Sequence, residues 1–107
     1  MDKEYVTSVS FQLVAHVGQA SAFFDEAIAA ARNGRFDDAE VALKQADQAI
    51  VEAHHTQTEL LRAEVEGEQI EFSLLLVHAQ DHLMTTITFG RLAREIIELY
   101  REVKHEH

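Results

Sequence analysis

The apolar residues of this chain recur at steps of three and four within three long segments. This spacing puts the apolar side chains on one face of an α-helix in each segment. The first seam consists of Val6, Ser10, Leu13, Val17, Ala20, Phe24, Ala27 and Ala31. The second consists of Ala39, Leu43, Ala46, Ile50, Ala53, Gln57 and Leu60, with Gln57 as its polar member. The third consists of Phe72, Leu76, Ala79, Leu83, Thr86, Gly90, Ala93, Ile97 and Tyr100.

Glycines separate the three segments. Gly34 and Gly67 occupy positions where a helix can end in a left-handed turn, and the short connections predict neighbouring antiparallel helices. The sequence therefore predicts an all-α fold, an antiparallel three-helix bundle that forms a single domain over residues 1–107. Gly18 and Gly90 fall inside helices, where glycine costs about 1 kcal/mol relative to alanine, so each is expected to mark a close contact.

The third segment is too apolar for two partner helices to cover. A second stripe beside its seam consists of Leu75, His78, His82, Thr85, Phe89, Leu92, Ile96 and Leu99. A third stripe consists of Leu74, Val77, Asp81, Met84 and Thr88. This surplus favours a homo-oligomer built around the third helix, and a flattened monomer with an exposed apolar patch is the alternative.

Composition narrows the class of protein. The chain has 107 residues, of which 47% are hydrophobic, and it contains no proline, which favours a few long helices. Its net charge of −10 disfavours nucleic acid and anionic membrane surfaces as partners, and no segment has membrane-spanning length. The absence of cysteine excludes thiol chemistry and disulfides. We expect a cytoplasmic protein whose protein partners are basic.

One group of ionisable residues is set within an apolar stretch of the third segment. Steps of three and four place Asp81 and His82 on the same side of the helix as His78. Burying three such groups would be costly, so the group is a candidate site. Of the other histidines, His16 is expected on the polar face of the first helix, and His105 and His107 are expected in a solvated, frayed C-terminal end.

Phosphoryl transfer suits this group of residues. A neutral imidazole is a good phosphoryl acceptor near neutral pH, and a second histidine one turn away can donate to the phosphate oxygens. His78 with His82 offers that arrangement. Asp81 would repel a phosphate, but if several copies converged on a symmetry axis their carboxylates would need a cation, and Mg²⁺ suits oxygen ligands.

The segment HAQDHLMTT, from His78 to Thr86, resembles the active-site segment of the lactose/cellobiose-type enzyme IIA of the bacterial phosphoenolpyruvate-dependent sugar phosphotransferase system. The resemblance extends over nearly the whole chain. It includes Ala53-His54 followed by Gln57-Thr58, the turn Arg32-Asn33-Gly34 followed by Phe36 and Ala39, and the run from Ile96 to Tyr100.

This resemblance implies a homotrimer whose nine helices form one bundle. It implies that His78 is phosphorylated on Nε2 by the histidine phosphocarrier protein and that the phosphoryl group passes to a cysteine of the cognate IIB component. It further implies that His82 is a second active-site histidine and that three copies of Asp81 bind one Mg²⁺ on the trimer axis. Whether His54 and Gln57 line the site from a neighbouring subunit, and which sugar is transported, remain open.

Two other functions are compatible with parts of the pattern. His78-Ala79-Gln80-Asp81-His82 is similar to the zinc motif H-x-x-E-H, with aspartate in place of glutamate and no evident third ligand. A helical interaction module, in which the histidines only tune an oligomer interface, is the non-catalytic alternative.

Overall fold

The computed structural model describes residues 1–106, which form three helices and no strand. Helix α1 spans Lys3–Arg32, α2 spans Phe36–Val65 and α3 spans Leu74–Glu106. They pack side by side in a rod of 58 × 20 × 19 Å. The prediction of an all-α fold with three helices is confirmed. His107 lies outside the described residues.

Short polar residues and glycines set the helix ends. The Asp2 carboxylate accepts a hydrogen bond from the Tyr5 N–H at 2.9 Å and caps α1. Gly34 and Gly67 adopt φ values of +77° and +94°, as predicted, and turn the chain out of α1 and α2. Ser73 begins α3 because its hydroxyl accepts from the Leu76 N–H at 3.1 Å. The site residues therefore lie in the first turns of α3.

Helix α1 is the centre of the bundle, since it packs along both neighbours while α2 and α3 contact each other much less. Two apolar clusters fill the interior. One surrounds Phe24, and the other, at the end where α3 begins, contains Leu13, Leu60 and Leu83. At the Phe24 end, ion pairs join Arg94 to Asp47 and Arg101 to Glu40, each at 2.5 Å, and show the antiparallel register of α2 and α3.

Two expectations from the sequence need correction. A Cβ added at Gly90 would meet the Phe24 ring, as predicted, but one added at Gly18 would meet nothing within 4 Å. Gly18 therefore marks no contact inside the chain. Phe72 is not a core residue, because α3 begins two residues later and leaves its ring 79% exposed. His16 is half-buried on α1.

The outer face of α3 carries the surplus apolar residues that the sequence predicts. The residues exposed there are Leu74, Val77, Met84, Leu92, Ile96, Leu99 and Val103. No helix in the described part of the chain is long and apolar enough to cross a membrane.

Candidate phosphoryl-transfer site

The three candidate residues lie together on the exposed side of α3. His78, Asp81 and His82 all belong to the regular helix that Ser73 initiates, and all three side chains are exposed. Within one chain, these ionisable side chains are therefore not buried, and the free-energy cost expected from their burial does not arise. The buried residues of the same turns, Leu76, Ala79 and Leu83, face α1 and α2 and hold the helix in place.

The two histidines form an edge-to-face pair. Their ring centroids are 4.4 Å apart and the ring planes make an angle of 62°. This separation follows from the four-residue spacing, which stacks side chains on successive turns. A group attached to a ring nitrogen of His78 can therefore come within hydrogen-bonding reach of the His82 imidazole, provided that a His82 ring nitrogen is protonated.

Asp81 lies on the side of His78 away from the bundle core. With His78 it lines an open apolar depression of about 710 Å³, whose other lining residues are Leu74, Leu75 and Val77. No group of three or more histidine, aspartate or glutamate side chains within residues 1–106 is arranged to hold a metal ion. Each chain thus supplies one outward carboxylate at this position.

The possible second-helix residues do not reach His78 within the chain. In the register shown by the Arg94–Asp47 pair, His54 lies about 13 Å, and Gln57 about 9 Å, from His78 along the bundle axis. His54 is exposed, while Gln57 is half-buried and its Oε1 atom is buried without a hydrogen-bond partner. One chain therefore brings together His78, Asp81 and His82 but neither of these two.

A further feature beside the site was missed by the sequence analysis. The end of α2, the connection to α3 and the first turns of α3 enclose a groove of about 340 Å³. We call it the α2–α3 groove; its apolar lining is Leu60, Leu61, Ile70, Phe72, Leu76 and Val77. The exposed apolar residues of the segment from Leu61 to Phe72 were the available signal, but the seam pattern assigned Phe72 to the core.

Comparison with known proteins decides the family. Residues 8–101 match the family model described as the lactose/cellobiose-specific IIA subunit of the phosphotransferase system. The chain belongs to this family. It is accordingly a phosphotransferase system component, and the match includes all three candidate site residues.

Relatives of this IIA chain cover nearly its full length. It is 46% identical to the lactose-specific EIIA component of Streptococcus mutans over 101 aligned residues. These residues make up 94% of this chain and 97% of the relative. The cellobiose-specific enzyme IIA of Bacillus anthracis has a similar structure, with a TM-score of 0.93 and 43% sequence identity. The superposition covers 100% of this chain and 96% of that one. The chitobiose IIA of Escherichia coli was solved in complex with HPr and gives a TM-score of 0.79 with 34% sequence identity. The superposition covers 97% of this chain and 99% of that one.

Proposed function

We propose that this protein is a phosphocarrier of a bacterial sugar phosphotransferase system, in which His78 accepts the phosphoryl group. The donor is the histidine phosphocarrier protein, and the acceptor is a cysteine of the cognate IIB component. The transported sugar belongs to the lactose, cellobiose and chitobiose class. The observation that carries the proposal is the exposed His78–His82 pair, with 4.4 Å between ring centroids, in a chain of this family.

The chemistry is two displacements at phosphorus. In the first, an unprotonated ring nitrogen of His78 attacks the phosphohistidine of the donor, so that a P–N bond to His78 forms while the P–N bond of the donor breaks. In the second, a cysteine thiolate of the IIB component attacks, a P–S bond forms, and the imidazole of His78 leaves. His82 stabilises the phosphoryl oxygens by donating a hydrogen bond from its ring.

Exposure of His78 supports transfer between proteins. A buried histidine would require the partner to open the fold, whereas His78 projects from a regular helix. The relative from Escherichia coli was solved in complex with HPr, which supports the same class of donor for this chain.

Assembly into a homotrimer explains the outer face of α3. Apolar side chains that are about half exposed or more, among them Leu74, Met84, Leu92 and Leu99, extend along the whole helix. An exposed apolar surface that extends along a whole helix is typical of an interface covered by another copy of the chain. Three α3 helices around an axis would bury it, giving a bundle of nine helices.

The same assembly would place three copies of Asp81 near one another. A single chain offers only one carboxylate there, and oxygen ligands supplemented by water suit Mg²⁺. The donor set therefore fits one Mg²⁺ per trimer, held by Asp81 of each subunit. The ion would neutralise the three carboxylates, and its role is structural.

Intact-mass analysis tests the proposal. The wild-type protein and His78→Gln are incubated with phosphoenolpyruvate and the two general phosphotransferase proteins. We expect one acid-labile phosphoryl adduct on the wild type and none on the variant, which circular dichroism should show to be folded. If the folded wild type acquires no adduct, the interaction-module function becomes the better description. Zinc in the purified protein would instead support the metallohydrolase function.

A further inference from the structure

The turn between α1 and α2 contains the only asparagine of the chain, Asn33, followed directly by Gly34. Both residues are exposed. An asparagine before a glycine is especially prone to lose its side-chain amide, because glycine has no Cβ to hinder attack by its own backbone nitrogen. Every other side-chain amide in the chain belongs to a glutamine, which would have to close a less favourable six-membered ring. The susceptibility of the whole chain to this reaction is therefore concentrated at one position.

The reaction requires only the chain and water. The backbone nitrogen of Gly34 attacks Cγ of Asn33, so that a new N–C bond forms while the bond between Cγ and Nδ2 breaks. The proton of the Gly34 N–H leaves with Nδ2 as ammonia, and a cyclic succinimide remains. Water then opens the ring at one of its two carbonyl groups and gives either aspartate or isoaspartate, in which the backbone runs through the side-chain carboxyl group. Both products replace a neutral amide with a carboxylate.

The folded turn holds the reacting atoms apart. The Gly34 N–H donates to the Ala31 carbonyl at 3.0 Å, and Nδ2 of Asn33 donates to the Ala29 carbonyl at 2.9 Å. The ψ angle of Asn33 is 10°, which places the Gly34 nitrogen beside the backbone nitrogen of Asn33 and away from its Cβ. Ring closure requires that both hydrogen bonds break and that the Gly34 nitrogen rotates to the side of Cβ. The reaction therefore proceeds only when the end of α1 opens.

The end of α1 can open without unfolding the bundle. Ala31 is fully buried, whereas Asn33 and Gly34 are exposed and are held mainly by hydrogen bonds to the last carbonyls of the helix. A helix end with few buried contacts opens at a lower free energy than the core. Opening of these two residues alone is enough to free the atoms that react.

The charges around the turn favour the reaction once it opens. Arg32 and Arg35 flank the pair in the sequence, and the aliphatic part of Lys104 lies 3.6 Å from the position that a Cβ on Gly34 would occupy. Arg35 is partly neutralised by Asp38, at 3.5 Å. The remaining positive charge stabilises the deprotonated Gly34 nitrogen, which is the nucleophile.

We propose that Asn33 is a site of spontaneous deamidation in the folded protein and that local opening of the end of α1 sets the rate. The product places a carboxylate at the negative end of the α1 dipole and removes the donor to the Ala29 carbonyl, so the modified turn is less stable. The hydrogen bond from Arg32 to Tyr100 shows that the turn lies about 33 Å from His78 along the bundle axis. Deamidation should therefore leave phosphoryl acceptance unchanged.

Intact-mass analysis of the folded protein over time measures the conversion, because each event replaces an NH2 group with OH. We expect the wild type to convert, faster at alkaline pH because the nucleophile is deprotonated, and enzymatic methylation specific for isoaspartate to label the product. Asn33→Gln is the matched control and should remain unmodified over the same period. Asn33→Asp supplies the authentic product and should have a lower Tm than the wild type.

Urea separates local opening from global unfolding. The unfolded wild type should convert about tenfold faster or more than the folded protein, because unfolding removes both protecting hydrogen bonds. Urea below the unfolding transition should already raise the rate, since it favours opening of the helix end.

Four results would overturn the proposal. Conversion of Asn33→Gln at the wild-type rate would mean that the reaction occurs at another residue. Equal rates in folded and unfolded protein would mean that the helix end gives no protection. Acceleration confined to the global unfolding transition would exclude local opening. A folded wild type that stays unmodified while the unfolded chain converts completely would show that Asn33 is not a site in the native protein.

Discussion

The ring of Phe24 occupies the space in which a side chain at Gly90 would lie. A Cβ built on Gly90 would come within 3.0 Å of three ring atoms, which no ordinary contact allows. Phe24 is 2% exposed and also packs edge-to-face against Phe89, with 5.9 Å between centroids. The glycine therefore permits α1 and α3 to approach around the largest buried side chain in the bundle.

Substituting the two mid-helix glycines should change stability in opposite directions. Gly90→Ala should lower the free energy of unfolding by about 1 to 3 kcal/mol, because displacement of the Phe24 ring outweighs the gain in helix propensity. Gly18→Ala should raise it by about 0.5 to 1 kcal/mol, since a Cβ there meets nothing. Urea denaturation of both variants measures the difference. A loss of stability in Gly18→Ala would mean that another copy packs against this face of α1.

Removing the second histidine should slow transfer without preventing phosphorylation. In His82→Ala, His78 keeps its nitrogen nucleophile but loses the neighbouring donor. Loss of one hydrogen bond to a charged group, worth about 1.5 to 3 kcal/mol, corresponds to a roughly ten- to hundredfold slower transfer. Quenched-flow measurement with the IIB component gives this rate, with His16→Ala as the control. A His82→Ala protein that transfers at the wild-type rate would exclude the role proposed for His82.

Replacing Asp81 with leucine should strengthen the proposed trimer. Three carboxylates near an axis repel one another unless a cation binds, whereas three leucines pack. We expect Asp81→Leu to raise the free energy of unfolding by about 1 to 4 kcal/mol and to make thermal stability insensitive to a chelator or to added Mg²⁺. Asp25→Leu, at an exposed position on α1, is the control. Dissociation of Asp81→Leu into monomers in a sedimentation experiment would contradict the proposed position of Asp81 on the axis.

Salt should slow the encounter with the protein donor. The net charge of −10 predicts attraction to a basic partner, and ions screen this attraction. Glu64 and Glu71, which line the α2–α3 groove, make no ion pair within residues 1–106 and add to the attraction next to the site. Raising the ionic strength from about 0.05 to 0.5 M should lower kcat/KM for phosphorylation several-fold. Phosphoramidate is a small phosphoryl donor that needs no docking surface, so its rate of reaction provides the reference for effects of salt on the chemistry itself. An unchanged ratio of the two rates would show that the acidic surface does not steer the donor.

The seams of the three helices could be predicted from the sequence because each core residue repeats at helical spacing. Leu13, Phe24, Leu83 and Ile97 are buried as the pattern requires. Phe72 was assigned wrongly because it continues the same spacing, although Ser73 begins the helix after it. The spacing alone does not reveal where a cap starts the helix. Gly18 was misjudged for a different reason: helix periodicity identifies a face but not whether another element covers it.

The grouping of the candidate site residues could be predicted from the sequence, but the shape of the surface around them could not. The four-residue spacing of His78 and His82 fixes their contact within any regular helix, and the structure places them accordingly. The α2–α3 groove depends on the relative positions of the end of α2, the connection and the first turns of α3. These positions are a tertiary property, because α2 and α3 pack mainly on α1. The places of Glu64 and Glu71 in the groove lining therefore emerge only from the folded chain.

Placing His78 on the outer surface of a regular helix has a consequence for how such carriers diversify. The proposed acceptor His78 is held in place by backbone hydrogen bonds and by buried Leu76, Ala79 and Leu83, whereas the exposed residues that would meet a partner lie on a different face of the helix. Recognition and reactivity can therefore change independently. Exchanging a few exposed residues could redirect the protein to another partner, and hence to another sugar, while the core that orients the histidine stays the same.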